Sequence, residues 1–154
     1  MRKTEQAELT VLCLLQKDDR ILLQDRKKND WKGYVLPGWH IEPGESVVDA
    51  VIREMQEETG LTVIAPKLCG VKQFPLRDGN YENGRFLVFL FRSDRFTGEL
   101  RSSEEGEMHW VRWDELDKVP LVEDARELFE VMLSDDWNEF QYTVENGNWK
   151  VNLK

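Results

Sequence analysis

The segment from Ser46 to Gly60 constrains the fold most, because it carries the signals that begin and end a helix. Ser46 is a favoured helix N-cap residue, and Asp49 stands where it completes a capping-box-like pair. Gly60 is a typical residue just beyond a helix end. Between these signals, apolar residues recur at helical spacing, at Val47, Val48, Val51, Ile52 and Met55. The pattern predicts an amphipathic helix with one stripe packed on a core.

The flank of this helix largely away from the apolar stripe is acidic. Glu54 is spaced i,i+3 from Glu57 and i,i+4 from Glu58, so the three carboxylates share one side. Like charges at these spacings cost a helix roughly 0.2 to 0.5 kcal/mol per pair, and folding alone gives no reason to concentrate them. A divalent cation gives one, because Mg²⁺ and Mn²⁺ select carboxylate oxygens. We expect Mg²⁺ as the cofactor, with Mn²⁺ as the alternative.

A plainer interpretation is a solvated acidic face, on which Arg53 forms i,i+4 pairs with Glu57 and Asp49. The loop in front of the helix favours a site instead. It contains Leu36-Pro37-Gly38 and Glu42-Pro43-Gly44-Glu45, whose glycine-containing backbone can approach a metal or a phosphate closely. Loop and acidic helix together therefore predict a site for a metal and a phosphate.

The rest of the chain predicts a sheet and a second helix within one domain, residues 1–154. Apolar residues at helical spacing predict a helix over 122–133, and the segment 114–116 predicts a short helical turn. The strand-like runs are 9–15 and 21–25, which form a hairpin, then 66–74, 85–92 and 108–113, and a last hairpin at 139–144 and 149–153.

Charge and cysteine content limit the classes of partner. The net charge of −9 repels long nucleic acids, whereas a bound divalent cation would still admit a small phosphorylated ligand. Cys13 and Cys69 lie in apolar stretches without metal-ligand spacing, which predicts buried thiols in a reducing compartment. No run approaches the roughly 20 apolar residues of a membrane span, and the N-terminus has no signal core, so we expect a cytoplasmic protein. The aromatic-rich tail is expected to cover the sheet or to contact a second copy in a homodimer.

Residues 39–61 resemble the Nudix box, in which glycine, five residues, glutamate and seven residues precede Arg-Glu-apolar-x-Glu-Glu-x-Gly-apolar. Eight of its nine specified positions match, with the intervals intact: Glu45, Arg53, Glu54, Met55, Glu57, Glu58, Gly60 and Leu61. The resemblance implies the Nudix α/β/α sandwich, with a mixed β-sheet between helices. It also implies hydrolysis of a diphosphate bond in a nucleoside diphosphate-linked substrate.

The resemblance also assigns roles to residues. It implies that Glu57, Glu58 and the carbonyl of Gly38 ligate the metal, and that Glu54 is either a ligand or the base that activates water. It further implies that Arg53 orients the acids and that Glu45 supports Arg53. A further carboxylate is expected from the acidic run 102–107, with Glu104 and Glu105 as the candidates.

One position departs from the box, because Trp39 stands where the first glycine is specified. If that position requires a positive φ, an indole there strains the loop and lowers activity. Trp39 therefore favours a second hypothesis, a sensor that binds a nucleotide without hydrolysing it. The indole is also a candidate stacking surface for a base, together with Trp31 and Tyr34.

The choice of substrate stays open among several nucleotides. Similarity to MutT-type proteins favours oxidised deoxynucleotides such as 8-oxo-dGTP, and ADP-ribose or another nucleotide derivative is the alternative. A pure interaction module, suggested by the aromatic tail, is the remaining hypothesis. His40 and His109 lack metal-ligand spacing to one another and are interpreted as ordinary residues.

Overall fold

The computed structural model, which describes residues 2–27 and 32–154, consists of two helices, a 3-10 helix and ten strands among those residues. The helices are α1 (Val47–Thr59) and α2 (Ala125–Leu133), and the 3-10 helix is Trp113–Lys118. The strands are β1 (Ala7–Lys17), β2 (Arg20–Arg26), β3 (Gly33–Val35), β4 (Leu61–Val63), β5 (Lys67–Arg77), β6 (Asn80–Ser93), β7 (Phe96–Gly98), β8 (Gly106–Arg112), β9 (Glu139–Glu145) and β10 (Asn148–Leu153).

Eight of the strands form one mixed sheet in the order β10-β9-β5-β6-β1-β2-β3, and β8 also pairs with β2. The pairs β1–β6 and β5–β9 are parallel, and the other pairs are antiparallel. Strands β4 and β7 form a separate antiparallel pair. The hairpins predicted at the start and at the end of the chain are both confirmed.

The two helices cover opposite faces of the sheet, and β1 shows this most clearly. Its residues Val11, Cys13 and Leu15 pack in the core cluster that contains α1. Leu14 belongs to the second cluster, which contains α2. Because side chains alternate across a strand and both faces of β1 are buried, its sequence is a continuous apolar run. The predicted α/β/α sandwich with a mixed sheet between helices is confirmed.

Helix α1 has the predicted limits. The side chain of Ser46 accepts a hydrogen bond of 2.9 Å from the backbone N–H of Asp49. At the other end Gly60 has φ +77° and donates its N–H to the carbonyl of Gln56. Capping satisfies backbone groups that an open helix end would leave unpaired. The two caps therefore fix where the helix begins and ends, and thus its position relative to the loop before it.

Helix α2 begins three residues later than the sequence pattern predicts. Asp124 has φ +62°, a left-handed conformation that a right-handed helix does not contain, so the helical segment begins only at Ala125. The apolar residue Val122 still packs against the core on the α2 side. Periodicity therefore identified the buried face but not the first residue of the helix.

Other predictions have mixed outcomes. Both cysteines are free: Cys13 is buried, whereas Cys69 is only partly buried. Burial raises the pKa of Cys13 to about 12 and that of Cys69 to about 11, which keeps them as thiols at neutral pH.

Trp31, one of the predicted base-stacking residues, lies outside the described residues. Among the described residues, no helix combines the length and hydropathy needed to traverse a bilayer.

Gly60 and Gly44 provide a matched test of how α1 is terminated. Both have a positive φ, but a Cβ on Gly60 would lie 2.6 Å from the backbone oxygen of Glu99, whereas a Cβ on Gly44 would meet nothing within 4 Å. We expect Gly44→Ala to cost roughly 1 to 2 kcal/mol in free energy of unfolding, from conformation alone. Gly60→Ala should cost at least about 1 kcal/mol more, because backbone must also move. Urea titration measures both, and equal costs would contradict the close approach.

Candidate functional site

Arg53 connects the loop to the acidic flank of α1. Its Nε and one terminal nitrogen donate to the two carboxylate oxygens of Glu45 at 2.8 and 3.0 Å. The same terminal nitrogen donates to the carbonyl of His40 at 3.0 Å. The other terminal nitrogen donates to Glu54 at 2.9 Å and to Glu57 at 3.2 Å. Through this one guanidinium, the loop residues are fixed relative to two of the predicted ligands.

The Arg53 guanidinium also lowers the pKa of Glu45 to about 2, mainly through the hydrogen bond between them. Glu45 is consequently ionised at any pH near neutrality. The expected pairing of Glu45 with Arg53 is thus present in the structure as a two-point contact.

Glu54 and Glu58 are buried, at 8% and 9% exposure, whereas the Glu57 side chain is 59% exposed. Two of the three carboxylates on this flank are therefore withdrawn from solvent, unlike those of the solvated face in the plainer interpretation. Burial raises the pKa of Glu58 to about 7, and the charge of Glu54 adds to this effect. Burial likewise raises the pKa of Glu54, although Arg53 opposes it. Two adjacent buried carboxylates repel each other, which a divalent cation bound between them would relieve.

Gly38 brings the loop backbone directly onto this pair. Its N–H donates to a carboxylate oxygen of Glu58 at 3.0 Å. Its φ is +133°, and a Cβ there would lie 2.2 Å from the backbone oxygen of Val11. On either side, Pro37 and Trp39 accept hydrogen bonds from the N–H groups of Cys13 and Val11. The loop is thus pinned along β1 at a distance that only glycine permits.

Trp39 fits the loop without left-handed strain. The described non-glycine residues with positive φ do not include it; they are Asp18, Ala65, Asp78, Asp124 and Asn146. The residue is 40% exposed, and its ring makes an edge contact with His40 at 4.6 Å between centroids. The guanidinium of Arg26 lies 5.7 Å from the ring centroid. The glycine of the box pattern is therefore not required at this position by backbone conformation.

Of the two candidates in the acidic run, Glu105 is the one whose charge acts on Glu58. Its charge is one of the causes that raise the pKa of Glu58. Glu105 is partly buried, whereas Glu104 is exposed, in a turn closed by hydrogen bonds between Ser103 and Gly106. The neighbouring Glu107 instead contacts Lys27 at 3.2 Å.

A cavity of about 500 Å³ opens beside the loop, a size typical of small-ligand sites. A smaller recess that shares several of its lining residues also includes Gln24, Tyr34 and Gly38. The larger cavity has a mainly apolar lining with a few charged groups: Thr10, Leu12, Arg26, Trp39, Lys72, Phe74, Phe86, Val88, Glu123, Asp124, Tyr142 and Trp149. Tyr142 and Trp149 come from the tail hairpin, so that hairpin forms part of a cavity wall.

Sequence reasoning missed the polar groups of this cavity and one further cluster. Ligating atoms of Asp25, Glu107 and His109 lie within 4.8 Å of one another, in an arrangement that could hold a metal ion. Asp25 and Glu107 are directly opposite on β2 and β8. Only the strand register brings these residues together, and the register could not be read from the sequence. Tyr34, a predicted base-stacker, instead stacks on His109 at 5.8 Å.

Comparison with known proteins gives consistent matches. A family model described as the NUDIX domain matches residues 6–132. The Nudix hydrolase YvcI of Bacillus subtilis is 36% identical over 86% of this chain and 85% of its own length. An ADP-ribose pyrophosphatase of Methanocaldococcus jannaschii is 41% identical, over 60% of this chain and 53% of that protein. The crystal structure of a MutT protein from Bacillus halodurans superposes with a TM-score of 0.76, at 28% identity, over 95% of this chain and 97% of that one.

The raised pKa of Glu58 predicts how metal-free stability depends on pH. A carboxyl group with a higher pKa in the folded chain binds more protons when folded, so stability rises as pH falls between the two pKa values. For Glu58 this interval runs from about 7 down to 4.5. The lowered pKa of Glu45 acts in the opposite sense, below 4.5.

In buffer with a chelator, we expect the Tm of the wild-type protein to rise as the pH is lowered from about 7.5 to about 5. Glu58→Gln keeps an acceptor for the Gly38 N–H but does not titrate, so it should lose much of this rise. Thermal unfolding followed by circular dichroism gives both profiles. Parallel profiles for the two proteins would show that Glu58 is not the source.

Proposed function

This chain belongs to the Nudix hydrolase family and is a pyrophosphohydrolase of that type, and we propose that it uses Mg²⁺ to cleave a diphosphate bond within a nucleotide. The observation that supports this proposal most is the position of Gly38. Its N–H binds Glu58 on α1, and the same residue lines the recess beside the aromatic cavity. The backbone at Gly38 therefore adjoins both the buried carboxylates that would hold a cation and the recess beside the cavity that would receive a base.

The described residues fit a divalent cation. Glu54 and Glu58 are buried side by side with raised pKa values, and Glu105 adds a third negative charge. We assign Glu54, Glu57, Glu58, Glu105 and the carbonyl of Gly38 as the groups that would hold Mg²⁺, with Mn²⁺ as a substitute. When bound, such an ion neutralises charge that develops on the diphosphate and lowers the pKa of a water molecule.

Arg53 acts in this proposal as a positioning residue. It orients Glu54 and Glu57 and holds them against the loop through Glu45 and the His40 carbonyl. Its positive charge also favours the ionised form of Glu54. Glu54 must be ionised either to ligate the cation or to accept a proton from the attacking water, so Arg53 supports both roles.

The cavity would take the nucleoside part of the substrate. Its aromatic lining suits a base, with Trp39 on the loop side and Tyr142 and Trp149 on the tail. An oxidised deoxynucleoside triphosphate such as 8-oxo-dGTP is one candidate substrate, supported by 31% identity, over 71% of this chain, with a putative 8-oxo-dGTP diphosphatase of Bacillus subtilis. ADP-ribose is the second, supported by the identity with the archaeal ADP-ribose pyrophosphatase.

Glu57→Gln tests the metal assignment. Glu57 is exposed and its carboxylate accepts a hydrogen bond from Arg53, so folding should be nearly unaffected by the substitution. Turnover with Mg²⁺ should fall on the order of 100-fold or more. Phosphate or pyrophosphate release from a panel of nucleotides measures it, with the exposed Glu130→Gln on α2 as the control. Retained turnover in Glu57→Gln would remove this residue from the site, and binding without turnover in the wild type would favour the sensor hypothesis.

Glu104 and Glu105 provide a second matched pair. Of these two, Glu105 is the residue whose charge raises the pKa of Glu58, so Glu105→Gln should weaken Mg²⁺ binding roughly tenfold, whereas Glu104→Gln should leave it unchanged. Titration of Mn²⁺ followed by electron paramagnetic resonance measures the affinity in both variants. An effect of Glu104→Gln equal to that of Glu105→Gln would mean that general surface charge, rather than direct contact, is responsible.

A further inference from the structure

Lys72 of β5 places an ammonium group among aromatic rings at the cavity wall. Its Nζ lies 5.2 Å from the ring centroid of Phe140, 5.6 Å from that of Phe74 and 5.7 Å from that of Tyr142. Burial lowers its pKa to about 8, and the charge of Asp124 opposes this effect. The group is thus still mainly protonated at neutral pH. Among the described residues, its three N–H donors lie near aromatic rings and make no hydrogen bond.

Gln24 of β2 is a second polar group without a partner in the same place. It is 5% exposed, and its Nε2 has no hydrogen-bond partner among the described residues. It lines the recess together with Lys72, Asp124 and Gly38. An unsatisfied buried amide is costly, and residues that bind ligands are a common reason for one. Two donors in one recess therefore indicate a ligand that carries hydrogen-bond acceptors.

Asp124 supplies the opposite chemistry. It stands at the N-cap of α2 but makes no capping hydrogen bond with its side chain. Its carboxylate instead accepts a hydrogen bond of 2.6 Å from the hydroxyl of Tyr142, and both residues line the cavity. The left-handed backbone of Asp124, at φ +62°, accompanies this arrangement. An aspartate that would ordinarily cap a helix is thus directed at the cavity.

We propose that Lys72 and Asp124, with Gln24 beside them, determine base specificity by selecting a ring carbonyl that adjoins a ring N–H, as in hypoxanthine and guanine, over adenine. This inference rests on the proposed function, because it assumes that the cavity receives the base. Lysine can only donate and an ionised carboxylate can only accept, so the two together match a carbonyl oxygen and the N–H next to it.

Adenine carries the reverse order on that edge. In the same orientation, its amino group would face the Lys72 ammonium, donor against donor. Its bare ring nitrogen would face the Asp124 carboxylate, lone pair against lone pair. The amide of Gln24 can donate or accept, so it contributes to either base and does not by itself discriminate.

Inosine triphosphate and ATP test the proposal most directly, because their bases differ only along this edge. We expect kcat/KM with Mg²⁺ to be at least about tenfold higher for inosine triphosphate, mainly through KM. Lys72→Met, which keeps an unbranched apolar stem but removes the ammonium group, should reduce that ratio to within about threefold of unity. Lys67→Met, at an exposed position on the same strand, is the matched control and should leave the ratio unchanged.

Binding measurements separate this inference from the proposed function. Calorimetric Kd values for the two nucleotides in the Glu57→Gln background should show the same preference without hydrolysis. Absence of turnover with every nucleotide, together with tighter binding of inosine triphosphate, would overturn the proposed function and support the specificity assignment. Equal Kd values for the two nucleotides in Glu57→Gln, or an unchanged kcat/KM ratio in Lys72→Met, would overturn the specificity assignment alone. Should Lys72→Met fail to fold, Asp124→Asn provides the same test, because it replaces one of the two accepting carboxylate oxygens with an NH₂ donor.

Discussion

The contact between Arg53 and Glu45 is the interaction on which the site geometry depends. Each turn of α1 can place carboxylates on one flank, but a helix alone does not decide what faces them. The two-point contact ties the loop to that flank, and the same guanidinium holds Glu54 and Glu57. Glu58 is held separately, by the backbone of Gly38. The acidic groups are therefore fixed by one side chain and one backbone amide.

Much of this half of the molecule could be predicted from local sequence. Helix limits follow from caps that act within a few residues, so Ser46 and Gly60 sufficed for α1. The fold class followed from the resemblance of residues 39–61 together with the order of strands. The burial of Glu54 and Glu58 could not be predicted, because it depends on how closely the preceding loop packs against the helix, as at the contact of Gly38 with Glu58. Periodicity describes the faces of a helix but not what covers them.

The cavity lay beyond sequence reasoning for a related reason. Lys72, Asp124 and Gln24 belong to separate elements, and each alone is an unremarkable polar residue in the sequence. Only sheet order and strand register bring them together. Asp124 also shows how a local pattern can mislead: the apolar spacing over 122–133 continues through it, although its backbone is left-handed and α2 begins after it. The Asp25, Glu107 and His109 group has the same origin, in the pairing of β2 with β8.

The hairpin formed by β9 and β10 contributes to the cavity from a part of the chain that does not contain the acidic helix. The family match ends at residue 132, whereas β9 and β10, which follow it, contribute Tyr142 and Trp149 to the cavity. Part of the cavity wall therefore lies outside the stretch of chain that contains the proposed metal site. If the cavity binds the base as proposed, substitutions in β9 and β10 can change which compound fits while α1 stays unchanged, so relatives that share the box can differ in substrate.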